Sequence, residues 1–184
     1  NILGAIFHLT KPYAAIALDQ RDSKWVRRQS VPLTGKTLGI LGLGAIGQEL
    51  ARKAEALEMR VIGTKRRVEN LPHVAKVYAE DATDEVLAQS DFVLLLLPVT
   101  SKTENSVNAK MLSKMKPTAY LLNFARGALT ADEHEKAKRD IQHRIVGEHG
   151  VDRRAFSADR ELAAHEAHAV TKHLTSHGHA SGAD

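Results

Sequence analysis

Cysteine is absent from all 184 residues, which excludes disulfides, thiolate catalysis and cysteine-ligated zinc, and permits a reducing cytoplasm. Aromatic residues make up only 4% of the chain, with a single tryptophan, too few for a base-stacking platform, so no nucleic-acid partner is expected. Long apolar stretches are missing too. The longest uncharged one, Phe92 to Val99, falls far short of the roughly 20 residues that cross a membrane, so no membrane partner is expected. Asn1 to Leu9 carry no basic leader and no small-residue cleavage site, and the expected location is the cytoplasm. What is present is ordinary: 43% hydrophobic and 26% charged residues, enough to bury a core. The net charge of +4 suits an anionic partner, and a small ligand carrying phosphates needs fewer basic residues than nucleic acid does.

Composition changes near Thr130. Eight of the ten histidines follow it, and seven of the eight aromatics precede it. The expected division is a helix and connector over 1–32, an α/β domain over 33–130, and a divergent His-rich segment over 131–184. Apolar residues at Ile2, Leu3, Ile6, Phe7 and Leu9, then Ala14, Ile16 and Leu18, predict one helix with a buried face, bent at Pro12. Asp19 to Pro32, around Trp25, reads as a connector. Strands are predicted over Thr37–Leu43, Arg60–Thr64, Lys76–Ala79, Phe92–Leu97 and Ala119–Phe124. They alternate with helices over Ala45–Glu58, Thr83–Gln89 and Asn105–Met115. Such alternation implies an α/β, doubly wound parallel sheet with helices on both faces. Beyond Thr130, Ala131–Val146 and Ser157–Leu174 read as polar helices and no strand stands out.

The sharpest motif is Gly42-Leu43-Gly44-Ala45-Ile46-Gly47, which closes a predicted strand and opens a predicted helix. In that setting Gly42 permits the tight turn, Gly44 admits a pyrophosphate close to the backbone, and Gly47 lets helix and strand pack. The helix starting at Ala45 then turns its free N–H groups and positive dipole end towards the phosphates. A turn of clustered glycines without a ligand is the plainer alternative. About 20 residues on, where an acid would hold the ribose 2′-hydroxyl of NAD, the chain reads Thr64-Lys65-Arg66-Arg67. Three consecutive cations with no carboxylate among them favour a 2′-phosphate, hence NADP over NAD, unless they are simply a solvated basic loop.

Leu33 to Gly47 resembles the opening of the coenzyme domain in the D-isomer-specific 2-hydroxyacid dehydrogenases. Asp91 to Thr103 resembles the family's fourth strand and following loop, and Asn123-Phe124-Ala125-Arg126-Gly127-Ala128-Leu129 its N-x-A-R-G turn. Trp25 also stands where these enzymes usually carry a tryptophan. The resemblance covers roughly Asn1 to Thr130. It implies a Rossmann-like fold and an oxidoreductase passing a hydride between NAD(P) and a small (R)-2-hydroxy acid or 2-oxo acid. It implies further that Arg126 grips the substrate carboxylate and carbonyl, a role that suits a forked guanidinium. The resemblance implies coenzyme contacts at Ala45, Ile46, Lys65, Leu97, Thr103, Phe124 and Ala125, beside Gly42, Gly44 and Gly47 of the glycine motif and Arg66 of the basic run, and a homodimer is expected by analogy.

The chain also departs from that pattern. Members carry about a hundred residues of substrate lobe ahead of this domain, so the chain reads as a fragment that starts in the linking helix. A later D-V-F-x-x-E-P-like segment is echoed only faintly by Gly150-Val151-Asp152 and Phe156. The family's T-P-H-like segment is better echoed by Leu174-Thr175-Ser176-His177, which makes His177 the candidate proton shuttle, with Glu161 or Glu148 as partner candidates. Glu161, His165, His168, His173 and His177 have helical metal-ligand spacings, though a solvated polar helix explains them as well and no metal is expected. The alternative function is a non-catalytic or truncated dinucleotide-binding module.

Overall fold

The computed structural model describes residues 1–129 and the strand at 145–147. Its frame is a six-stranded sheet of β1 (Thr37–Leu41), β2 (Arg60–Thr64), β3 (Lys76–Tyr78), β4 (Phe92–Leu95), β5 (Tyr120–Asn123) and β6 (Ile145–Gly147). Every pairing is parallel and the order is β3-β2-β1-β4-β5-β6. The chain thus runs outwards from β1 to β3, returns to the middle as β4, and runs outwards again, a doubly wound sheet.

Successive residues of these strands enter two different cores, because side chains alternate across a sheet. Leu38 and Ile40 of β1, Val61 of β2, Phe92 and Leu94 of β4 and Leu122 of β5 face one side. There they meet Leu50, Ala51 and Ala54 of α3 (Ala45–Glu55) and Ile6 of α1 (Ile2–Thr10). Leu41, Ile62, Val93, Leu95 and Leu121 face the other side. They meet Val86 and Leu87 of α4 (Thr83–Gln89) and Leu112 of α5 (Ala109–Leu112). All residues of β1 and β4 are buried, which explains why both read as continuous apolar runs rather than alternating ones.

Three expectations need correction. The first helix is not bent at Pro12 but broken there: α1 ends at Thr10 and α2 (Tyr13–Arg21) begins anew. Proline removes a donor and clashes with the preceding turn. α2 buries no residue, so Ile16 and Tyr13 are exposed rather than part of a core face. Second, only Ala109–Leu112 of the predicted Asn105–Met115 helix is α-helical. Asn105 has φ +53°, and the Asn105 and Val107 N–H groups donate to the Ala128 and Leu129 carbonyls instead of into a helix. Asn108 then caps α5 by accepting from the Met111 N–H at 3.0 Å. Third, the predicted Ala131–Val146 helix cannot reach its stated end, since Ile145–Gly147 is a strand pairing with Leu121–Asn123.

Candidate functional site

A parallel sheet brings all its strand ends to one edge. The register places Tyr78, Thr64, Leu41, Leu95, Asn123 and Gly147 in a single row across that edge. Gly42, Lys65 and Phe124 follow this row directly after β1, β2 and β5, and Leu97 comes two residues after the end of β4. β1 and β4 are neighbours there, and their connections leave in opposite directions, which opens a crevice outside the carboxyl ends.

Gly42 has φ +105°, a conformation L side chains rarely adopt, and a Cβ there would stand 3.0 Å from the Leu96 carbonyl oxygen. The turn is held by the Leu43 N–H donating to Thr64 O at 2.9 Å and the Gly44 N–H donating to Gly42 O at 2.9 Å. Gly47 packs against it, with a Cβ position 2.9 Å from Gly42 O. Around Gly44 the opposite holds: nothing lies within 4 Å of where a Cβ would be. Gly44 also supplies no side chain to cap α3, so none satisfies the first-turn N–H groups from Ala45 to Gly47. Positive partial charge and open space coincide at this one point.

Two cavities flank the turn. One, of about 680 Å³, is lined by Ala45, Ile46, Leu50, Leu96, Phe124 and the start of α1. The other, of about 780 Å³, is lined by Leu96, Leu97, Pro98, Phe124, Ala125 and Arg126. Leu96 and Phe124 belong to both, so the two are adjoining parts of the same crevice. Glu49 borders the first, and hydrogen bonds from Arg52 and Lys53 lower its pKa to about 2.

The loops beyond β4 and β5 are tied together. Thr103 Oγ1 accepts from the Thr100 N–H at 2.8 Å and donates to the Pro98 carbonyl at 2.6 Å, folding the 98–103 loop on itself. The Asn105 and Val107 N–H groups then bond the carbonyls of Ala128 and Leu129, at 3.0 and 2.9 Å. Asn123 Oδ1 accepts from the Ala125 N–H at 3.0 Å, turning the chain so that Arg126 sits exposed at the rim of the second cavity. Arg126 forms no ion pair with a described residue.

Comparison with known proteins agrees with this arrangement. Residues 3–175 match the model of the D-isomer specific 2-hydroxyacid dehydrogenase, NAD binding domain. The chain belongs to that family. The match runs well past Thr130, where the motifs fade. Among curated relatives, the glyoxylate reductase of Thermococcus onnurineus is 42% identical over 101 residues, 54% of this chain and 30% of its own length. Among solved structures, the phosphoglycerate dehydrogenase from Lactobacillus plantarum superposes with a TM-score of 0.68 at 32% identity, covering 76% of this chain and 46% of that one. The apo NADPH-dependent glyoxylate/hydroxypyruvate reductase of Sinorhizobium meliloti gives 0.65 at 26% identity, covering 76% and 72%. The chain spans less than half the length of the first two.

Within this domain Ala45 and Ile46 line the first cavity, Leu97, Ala125 and Arg126 the second, and Phe124 both, while Gly42, Gly44 and Gly47 form the turn beside them, Gly44 exposed and Gly47 buried. Thr103 is committed to its own loop. Lys65 and Arg66 follow β2 as expected, but they are not unaccompanied: Lys65 pairs with Glu69, and Arg66 Nε lies 3.9 Å from Glu80. The basic run looked free of carboxylates because Glu69 lies beyond it in the loop, and Glu80 comes from the turn after β3. Leu96, central to both cavities, was missed because nothing in an unbroken apolar run marks the residue where a strand ends. His177, Glu161, Glu148 and the histidines with metal-ligand spacing lie outside the described residues.

Proposed function

We propose that this domain holds the coenzyme of an oxidoreductase that passes a hydride between NAD(P) and a small (R)-2-hydroxy acid or 2-oxo acid. The observation carrying it is the open cradle at Gly44, beside uncapped N–H groups and one cavity away from Arg126. That cradle fits a pyrophosphate: a side chain there would fill the space, and the helix end favours negative charge. Gly42, Gly44, Ala45 and Ile46 would hold the diphosphate, Lys65 and Arg66 the adenosine end, and Leu97, Phe124 and Ala125 the apolar remainder. When bound, the nicotinamide ring supplies or accepts the hydride.

The chain's own residues bind and orient the substrate. Arg126, with no described carboxylate to neutralise it, forks onto the substrate carboxylate and stabilises charge on the carbonyl oxygen. His177 is the proposed proton donor and acceptor. Lys65, Arg66 and Arg67 favour a 2′-phosphate, so NADP is the preferred coenzyme. A homodimer and a cytoplasmic location belong to the same reading; among the described residues, no helix is long and apolar enough to cross a membrane.

The test is calorimetric titration of the intact protein with NADP⁺ and NAD⁺, alongside reduction of glyoxylate. Arg126→Gln is expected to lower kcat/KM by about 100-fold or more while leaving coenzyme affinity unchanged. Full turnover in Arg126→Gln or in His177→Gln would remove that residue from the mechanism. Coenzyme binding with no turnover of any 2-oxo acid would make the protein a dinucleotide-binding module without catalysis.

A further inference from the structure

The basic run after β2 and the carboxylates that tertiary structure brings to it belong to one electrostatic unit. The Lys65 N–H donates to the Tyr78 carbonyl at 3.0 Å, which binds the loop after β2 to the end of β3. Glu80, in the short 3₁₀ turn Glu80–Ala82 that follows, is thereby brought alongside Arg66. The ammonium of Lys65 is hydrogen-bonded to Glu69, four residues on in the same loop, and the Lys65 side chain is only 25% exposed. Arg66, by contrast, is 85% exposed and holds Glu80 loosely at 3.9 Å. Lys65, and to a lesser degree Arg67, keep the Glu69 carboxylate charged by lowering its pKa.

We propose that Glu69 is a coenzyme-selectivity residue: its carboxylate occupies Lys65 in place of a coenzyme 2′-phosphate and so restrains the preference for NADP. The inference rests on the proposed placement of the adenosine ribose at this loop. A 2′-phosphate and a carboxylate are both oxyanions drawn to the same ammonium, so a phosphate at Lys65 competes with Glu69 for its donors and its charge. Meanwhile the displaced carboxylate remains nearby and repels the phosphate. NAD, with a neutral hydroxyl at that position, demands no exchange. Glu80 restrains the site less, because its contact with Arg66 is longer and both side chains are largely in water.

Titration of the intact protein with NADP⁺ and NAD⁺ tests this directly, using binding rather than turnover. Glu69→Gln is expected to tighten NADP⁺ by about two- to fivefold, the scale of an exposed ion pair, without tightening NAD⁺. Lys65→Ala should weaken NADP⁺ and abolish the gain when combined with Glu69→Gln. Equal NADP⁺ affinity in wild type and Glu69→Gln, or an equal gain for both coenzymes, overturns the role of Glu69. If Lys65→Ala still weakens NADP⁺ selectively, the 2′-phosphate reading survives that loss. If neither substitution alters NADP⁺ relative to NAD⁺, the placement of the ribose falls as well. Glu69 is exposed and lies outside the core, so the folded state is retained in the variant, and a thermal melt confirms it.

Discussion

Alanine methyls placed at two glycines of the same turn meet opposite surroundings. At Gly44 there is nothing within 4 Å, whereas at Gly47 the methyl stands 2.9 Å from a backbone oxygen that cannot swing away. Gly44→Ala is therefore expected to fold with an unchanged melting temperature and to lose coenzyme affinity by tenfold or more, because the methyl fills the space the diphosphate needs. Gly47→Ala should lose about 1–3 kcal/mol of stability through the clash between helix and turn. Thermal melts paired with coenzyme titration separate the two, and a destabilised Gly44→Ala protein would show that this glycine serves the fold instead. The packing of Gly47 against the turn was legible in the motif and its strand-helix setting, and the phosphate role read there for Gly44 is what this titration tests. Which positions face empty space and which face backbone was not, since that depends on how α3 packs back against Gly42 and Ile40.

At the scale of elements, the edge of the sheet opposite the site is held by one carboxylate. Asp91 accepts from the Thr37 N–H at 2.8 Å and from Lys116 Nζ at 3.1 Å. Its backbone bonds both Thr37 and Tyr120, so it joins the starts of β1, β4 and β5. Partial burial raises its pKa, but the Thr37 and Lys116 hydrogen bonds and the charges of Lys116 and Lys36 outweigh that, and the net shift is downward from 3.8. A carboxylate whose pKa is lower folded than unfolded adds stability above its unfolded pKa and loses it as pH falls through the folded one. Urea midpoints should accordingly drop from about pH 5 downwards, and drop less steeply in Asp91→Ala. At pH 7 that variant should be weaker by about 1–3 kcal/mol, because the buried Thr37 N–H is left without its acceptor. An identical pH dependence in both proteins would show that Asp91 contributes nothing to it. Elements with a strong apolar signal, the continuous runs of β1 and β4 and the helical spacing of α3, were readable in advance. The stretch from Asn105 to Met115 was not, because backbone donors there bond the distant Ala128 and Leu129 carbonyls, overriding its local helical pattern.

For the whole molecule, the proposed coenzyme binding is linked to stability, because the residues assigned to it come together only when β1, β2, β4 and β5 are in register. NADP⁺ at a hundred times its Kd should stabilise the protein by about 2.7 kcal/mol, raising its melting temperature by about 5–10 °C. Gly44→Ala should show about half that rise or less at the same NADP⁺ concentration, and an undiminished rise in that variant would place the binding elsewhere. The amino-acid sequence by itself determined the alternation of the first five strands with helices and the turn at Gly42, through apolar patterning and one residue's conformational freedom, whereas Arg126 stood out through the family resemblance of its turn. Tertiary structure alone decided that Leu96 and Phe124 join two cavities into one crevice, that β6 extends the sheet, and that Glu80 sits against the basic run. Those outcomes depend on which strand lies beside which, and on the free energy of charges brought together across loops.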